Sequence, residues 1–176
     1  MIRQSLVVFF VLVSVALRLL PHPWNMSPVV GISLFCGAML PKRWALIVPL
    51  LAIAAGDLAL GWLPVHLFGW AAVALSALIG FALRGRRSAL KVAGASLAGS
   101  TLFFLLSNFG VWALGCNPGW YPPTLSGLTA CYWAGIPFYR NMLFGDLAYS
   151  VMLFGSFALF TRWTLRRQAT VLAVSR

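Results

Sequence analysis

Acidic residues are almost absent from this 176-residue chain, which contains two aspartates, Asp57 and Asp146, and no glutamate. The sequence also lacks the short motifs of common enzyme classes: CxxC, HExxH, GxSxG, the P-loop and the dinucleotide-binding glycine pattern. These absences remove the commonest catalytic and nucleotide-binding constellations. We therefore predict no enzymatic activity and no covalently bound cofactor.

Apolar residues dominate the chain instead, because 61% of it is hydrophobic and only 9% is charged. The apolar residues fall in several runs of roughly 17–25 residues, the length that crosses a lipid bilayer. A net charge of +11 would also suit a nucleic-acid partner. However, nearly all the basic residues lie in short runs between the apolar spans, where they set membrane orientation. The sequence thus predicts a lipid bilayer, and no nucleic acid, as a partner.

The pattern predicts an all-α integral membrane protein with six transmembrane helices in a single domain that covers residues 1–176. The second helix is too short to cross roughly 30 Å comfortably, so it is either tilted or packed among its neighbours. The N-terminal apolar run lacks a small-x-small cleavage site, so we interpret it as the first helix rather than a signal peptide. The predicted helices cover residues 5–20, 26–40, 44–63, 65–83, 92–114 and 140–163, and an outer lid loop covers residues 115–139.

Basic residues predict the orientation of the six helices. Eleven of the thirteen Lys and Arg residues fall on one face of the predicted bundle, and only Arg18 and Arg140 fall on the other. Positively charged loops stay in the cytoplasm. We therefore predict a multi-pass protein of the bacterial inner membrane with both termini cytoplasmic.

The two aspartates form the core of the predicted site. A carboxylate is expensive in hydrocarbon, so an acidic residue within a span is a functional-site hypothesis by default. At 1.5 Å per residue, both aspartates lie in the outer third of the membrane, close to the level of two arginines. These charges can neutralise one another in pairs, either around a ligand cavity or as structural contacts that fix helix packing. The four residues are Arg18, Asp57, Arg140 and Asp146.

Polar and aromatic residues near the outer face extend this site. A proline-rich loop holds His22, the one candidate metal ligand, beside an aromatic residue. Aromatic residues at this level also fit an interfacial belt, and His66 is predicted to be interfacial. The full set of predicted ligand contacts is His22, Trp24, Asn25, Asp57, Asn108, Trp112, Tyr132, Tyr139, Arg140, Asn141, Asp146 and Tyr149.

The three cysteines divide into two groups. Cys116 and Cys131 both lie in the predicted outer lid, which would face an oxidising compartment, so the two could form a disulfide. Cys36 lies within a predicted helix, where a packing role is the simpler interpretation.

The architecture resembles the membrane-embedded substrate-binding subunits, or S components, of energy-coupling-factor vitamin transporters. It is most similar to the small cobalamin-type members of Gram-negative bacteria, in which a histidine, an aspartate and an arginine occur in the order of His22, Asp57 and Arg140. The resemblance implies a six-helix bundle that binds a vitamin or metal-bearing ligand. It also implies docking on a transmembrane coupling protein driven by ATPases.

Together these features predict uptake of a small micronutrient, such as cobalamin or a metal-bearing ligand, captured from the outer side. One alternative is a small membrane enzyme that acts on a thiol or lipid substrate. Another is a scaffold or assembly subunit of a membrane complex, since small-residue helix faces could dock a partner.

Overall fold

The computed structural model describes residues 9, 12, 16, 26–85, 87–114 and 121–174. The described residues contain helices and no β-strand, so the all-α prediction is confirmed. The first predicted helix, residues 5–20, lies outside the described residues apart from three isolated positions. The described helices are α1 (Val29–Met39), α2 (Lys42–Leu60), α3 (His66–Phe81), α4 (Ala89–Ala113) and α5 (Leu125–Val174).

The last helix differs from its prediction. Residues 125–139 do not belong to a loop, because α5 begins at Leu125 and continues through Pro137 to Val174. The backbone N–H of Gly127 donates to the Thr124 hydroxyl at 3.2 Å, which is a typical helix N-cap contact. A proline removes one backbone hydrogen bond from a helix interior, and close packing against α4 offsets that loss here. The predicted outer lid is therefore shortened to the connection between α4 and α5.

The shortest described helix, α1, lies at the centre of the bundle. Its residues from Val29 to Ala38 are all buried, and it contacts each of the other four described helices. A helix that is apolar on every side is stable only when neighbours cover it completely. Its 11 residues span only about 16 Å at 1.5 Å per residue. Of the two interpretations offered for this helix, burial among neighbours is the one observed.

The C-terminus of α1 is held by a basic side chain from the end of α3. Arg84 donates from Nε to the Gly37 carbonyl at 2.8 Å and from an Nη atom to the Leu40 carbonyl at 2.7 Å. These are carbonyls that a helix end otherwise leaves without partners. This contact puts the α1–α2 connection, and with it Lys42 and Arg43 at the start of α2, at the same end of the bundle as the α3–α4 connection.

Two described helices are long and apolar enough to cross a membrane: α4 and residues Leu125–Gln168 of α5. The helices α1 and α3 are apolar but shorter. Large apolar side chains are widely exposed on the described surface, among them Leu51, Leu67 and Leu159. The six membrane-spanning helices expected from the sequence therefore stay a prediction.

Candidate functional site

A cavity of about 380 Å³ lies in the half of the bundle that is opposite the basic connections. Its wall contains both aspartates of the chain, Asp57 from α2 and Asp146 from α5. The contributing parts are the N-terminal ends of α1 and α3, the C-terminal halves of α2 and α4, and the first half of α5. The tertiary structure thus brings together two carboxylates that are 89 positions apart (146 − 57) in the sequence.

Asp146 is completely buried where α5 passes the N-terminus of α1. Its Oδ2 atom accepts a hydrogen bond from the Ser100 hydroxyl at 2.8 Å. The backbone amides of Val30 and Gly31 also approach the carboxylate. No side chain caps α1 at Pro28, so Asp146 supplies negative charge to the positive end of that helix dipole.

One oxygen of this carboxylate is left over. Asp146 Oδ1 has no hydrogen-bond partner of good geometry among the described residues, although the α1 amides approach the carboxylate group. The Ser27 hydroxyl, which also lines the cavity, lacks a partner in the described part of the chain too. Buried polar atoms are normally hydrogen-bonded, so two orphaned oxygens in one cavity are unusual.

Removing the hydroxyl that supports Asp146 should destabilise the protein. We expect Ser100→Ala to lower the free energy of unfolding by about 1.5–3 kcal/mol, because a buried carboxylate loses a charge-assisted hydrogen bond. Ser76→Ala is the matched control, since Ser76 is equally buried on α3 but bonds only the Ala72 carbonyl of its own helix. Chemical unfolding in detergent measures both variants. Equal losses in the two would contradict the role assigned to Ser100.

Asp57 belongs to an aromatic group at the opposite wall. The Trp70 indole N–H donates to Asp57 Oδ2 at 2.8 Å. The Trp62 ring packs on Trp70 and on His66, with centroid distances of 5.1 and 5.7 Å. His66 lines the cavity, and its Nδ1 accepts from the Leu63 backbone N–H at 3.2 Å, which leaves Nε2 to carry the proton of a neutral ring.

The wall formed by α4 and α5 carries Asn108 and Tyr139. The Asn108 side-chain amide donates to the Phe104 carbonyl at 2.9 Å. The Tyr139 and Thr101 hydroxyls share a hydrogen bond of 2.8 Å. The Phe104 and Tyr139 rings pack with their centroids 4.8 Å apart. This wall offers a ligand aromatic surface together with polar atoms that are already oriented.

The predicted contacts fall into three groups. Four of them line the cavity, while five are described but do not line it, and three lie outside the described residues. The cavity-lining residues are Asp57, Asn108, Tyr139 and Asp146. The residues away from the cavity are Trp112, Tyr132, Arg140, Asn141 and Tyr149. The residues outside the description are His22, Trp24 and Asn25.

Arg140 does not pair with Asp146 as the charge pattern suggested. Arg140 is exposed and lines no part of the cavity, whereas Asp146 is bonded to a serine. The reason is helical geometry, because residues six apart on one helix point in very different directions. Arg18, the other predicted partner, lies outside the described residues.

The predicted disulfide is not formed at Cys131, which is a free, buried thiol. Since residue 131 is helical rather than part of a lid, its thiol packs into the α4–α5 interface and donates to the Asn108 carbonyl at 3.4 Å. Cys116 lies outside the described residues. Cys36 is also free and completely buried, in line with its predicted packing role.

Sequence reasoning missed several lining residues. His66 was interpreted as interfacial, and Ser27, Gly69 and Phe103 were not singled out, although all four line the cavity. A signal for two of them was present, because His66 and Gly69 are three positions apart and so share one face of a helix. Nothing in the local pattern distinguishes Ser27 or Phe103.

The metal-ligating side chains in the described part of the chain do not form a metal centre. No group of three or more His, Cys, Asp or Glu side chains comes together there. The predicted metal ligand, His22, lies outside the described residues.

In the part of the chain that the structure describes, fold and cavity define an all-α protein with two helices long and apolar enough to cross a membrane and a small cavity lined by both acidic residues of the sequence. The chain belongs to a family of unknown function, DUF6580, whose model matches residues 1–170. No curated protein and no solved structure matches the chain.

Proposed function

We propose that this protein lies in the bacterial inner membrane and binds a small micronutrient, captured from the outer side for uptake. The observation that carries the proposal is the shared cavity of Asp57 and Asp146. Charged groups inside a membrane protein are costly and usually mark a substrate or ion site. Two of them in one cavity, beside Asn108 and Tyr139, favour a binding site over isolated structural contacts.

The surface supports the membrane part of the proposal. Exposed Leu51, Leu67 and Leu159 would be unfavourable in water and suit lipid tails. The helix α5 is about 75 Å long at 1.5 Å per residue, which is more than enough to cross a bilayer core of roughly 30 Å.

The basic residues support the proposed orientation. Lys42, Arg84 and Lys91 lie at helix ends on the side of the bundle away from the cavity. Basic residues that flank membrane helices are enriched on the cytoplasmic side. This orientation would place the cavity in the outer half of the membrane and both termini in the cytoplasm.

The cavity volume constrains the ligand. About 380 Å³ lies near the lower limit of the 300–1,000 Å³ typical of small-molecule pockets. Among the ligands implied by the S-component resemblance, the proposal therefore favours a compact vitamin over cobalamin. Because the sequence carries no P-loop, energy for uptake would come from a partner such as a coupling protein with ATPases.

A membrane enzyme is the second candidate, and one observation favours it. His66 and Asp57 line the same cavity, and such a pair can serve in acid–base chemistry. A thiol-based reaction has less support, since Cys36 and Cys131 are buried and neither lines the cavity.

Native mass spectrometry of protein gently extracted from its own membrane tests the binding function. We expect the wild-type chain to carry an additional small-molecule mass, and Asp146→Asn to lose most of it. Asparagine keeps an oxygen that can accept from Ser100, so the variant should fold. Arg140→Gln is the matched control and should retain the mass, because Arg140 is exposed and away from the cavity. A bare wild-type chain, or one that retains only a partner polypeptide, would favour the scaffold alternative.

A further inference from the structure

We propose that the ligand of this cavity is a small organic cation, whose positive group binds at Asp146 and whose apolar body lies against the phenylalanine side chains of the wall. This inference rests on the proposed binding function and specifies the chemical class of the ligand.

The distribution of charge is the first argument. The chain has thirteen Lys and Arg residues and only two acidic residues, so a random set of charged positions would be mostly basic. Among the described residues that line the cavity the bias is reversed, because both aspartates are present and there is no Lys or Arg. An ionised Asp146 in such a wall attracts cations and repels anions.

Unsatisfied acceptors are the second argument. Asp146 is completely buried and Ser100 occupies its Oδ2 atom, whereas Oδ1 lacks a hydrogen-bond partner of good geometry among the described residues, although the α1 amides approach the carboxylate. The Ser27 hydroxyl oxygen is the other orphaned atom of the described cavity wall. An ammonium group donates up to three hydrogen bonds and carries the charge that a desolvated carboxylate requires.

The apolar part of the wall argues for an organic cation rather than a bare metal ion. Phe103, Phe104 and Phe138 line the cavity beside the Tyr139 ring. Aromatic faces attract organic cations, and they also cover an apolar body. The described residues hold no cluster of three metal-ligating side chains, and a volume of 380 Å³ exceeds what a single ion needs.

Three compounds of nearly the same shape isolate the effect of ligand charge: tryptamine, a cation; tryptophol, neutral; and indole-3-acetate, an anion. Calorimetric titration into the full-length protein in lipid nanodiscs, with empty nanodiscs subtracted, measures each affinity. We expect tryptamine to bind roughly tenfold or more tightly than tryptophol, and indole-3-acetate to bind most weakly. Asp146→Asn should remove most of the preference for tryptamine and change the tryptophol affinity by less than about threefold.

The outcomes separate this inference from the function beneath it. Equal affinity for tryptamine and tryptophol, or an unchanged preference in Asp146→Asn, would overturn the cation assignment while leaving a binding cavity in place. Failure of all three compounds to bind would also overturn it. The binding function itself would then be judged by the native ligand mass, which does not depend on ligand charge.

Discussion

Gly37→Ala is expected to lower the free energy of unfolding by roughly 3 kcal/mol or more, or to prevent folding. A Cβ atom at this position would overlap the Ala77 carbonyl oxygen and would lie 2.9 Å from Gly80 Cα. Both atoms belong to the backbone of α3, so no side-chain rotation relieves the overlap. The central helix α1 would have to move away from α3, which would also disturb the Arg84 contact with the Gly37 carbonyl.

Gly94→Ala is the matched control for this substitution. Gly94 lies within α4, and a Cβ atom there would meet nothing within 4 Å among the described residues. Alanine is a better helix former than glycine by about 0.5–1 kcal/mol, so this variant should be slightly stabilised. Thermal unfolding in detergent, followed by circular dichroism, measures the two variants side by side. If both variants had the same unfolding temperature, the close contact between α1 and α3 would be wrong.

Gly69→Leu is expected to weaken ligand binding by roughly a hundredfold or more while the fold is retained. Gly69 lies on α3 in the cavity wall, and a Cβ atom there would be 3.6 Å from Phe103 and 3.9 Å from Ile53, which are ordinary contact distances. The backbone therefore has room for a side chain, and the rest of a leucine would extend among residues that themselves line the cavity. The ligand and the new side chain would compete for the same 380 Å³.

Gly69→Ala is the control for this experiment, because it adds only the one carbon that the site has room for. Its affinity should stay within about threefold of the wild type, and its stability should rise slightly. Native ligand mass and tryptamine titration provide two independent measures of binding, and thermal unfolding shows whether each variant is folded. Full binding by a folded Gly69→Leu protein would mean that the ligand does not occupy this cavity.

The architecture of four helices followed closely from sequence. The helices α1 to α4 end within three residues of the predicted boundaries, because apolar runs, prolines and charged connections mark their limits plainly. The boundary of α5 could not be read in this way. Pro137 and the surrounding glycines are typical of a loop, and only the packing against α4 decides that residues 125–139 are helical.

The candidate site was predictable in its charged core and not in its detail. Asp57 and Asp146 could be identified from sequence alone, because they are the two acidic residues of a strongly apolar chain. A carboxylate within an apolar span is costly, so its presence there indicates a functional or structural role. The structure brings the two into one cavity, and their depth in a membrane stays a prediction. Arg140 was misplaced, since depth along a helix does not specify which face of the helix a residue occupies.

The sequence by itself determined an apolar, helical chain in which basic residues are concentrated near the ends of the apolar runs and the two acidic residues lie inside such runs. Only the tertiary structure decided which atoms those acids meet. Asp146 reaches Ser100 and the start of α1, and Asp57 reaches Trp70, through contacts between different helices or across a turn. Such contacts depend on how packed helices are rotated and at what angle they cross. Close approaches such as that of Gly37 to Gly80 determine this geometry, and the local periodicity of the sequence does not encode it.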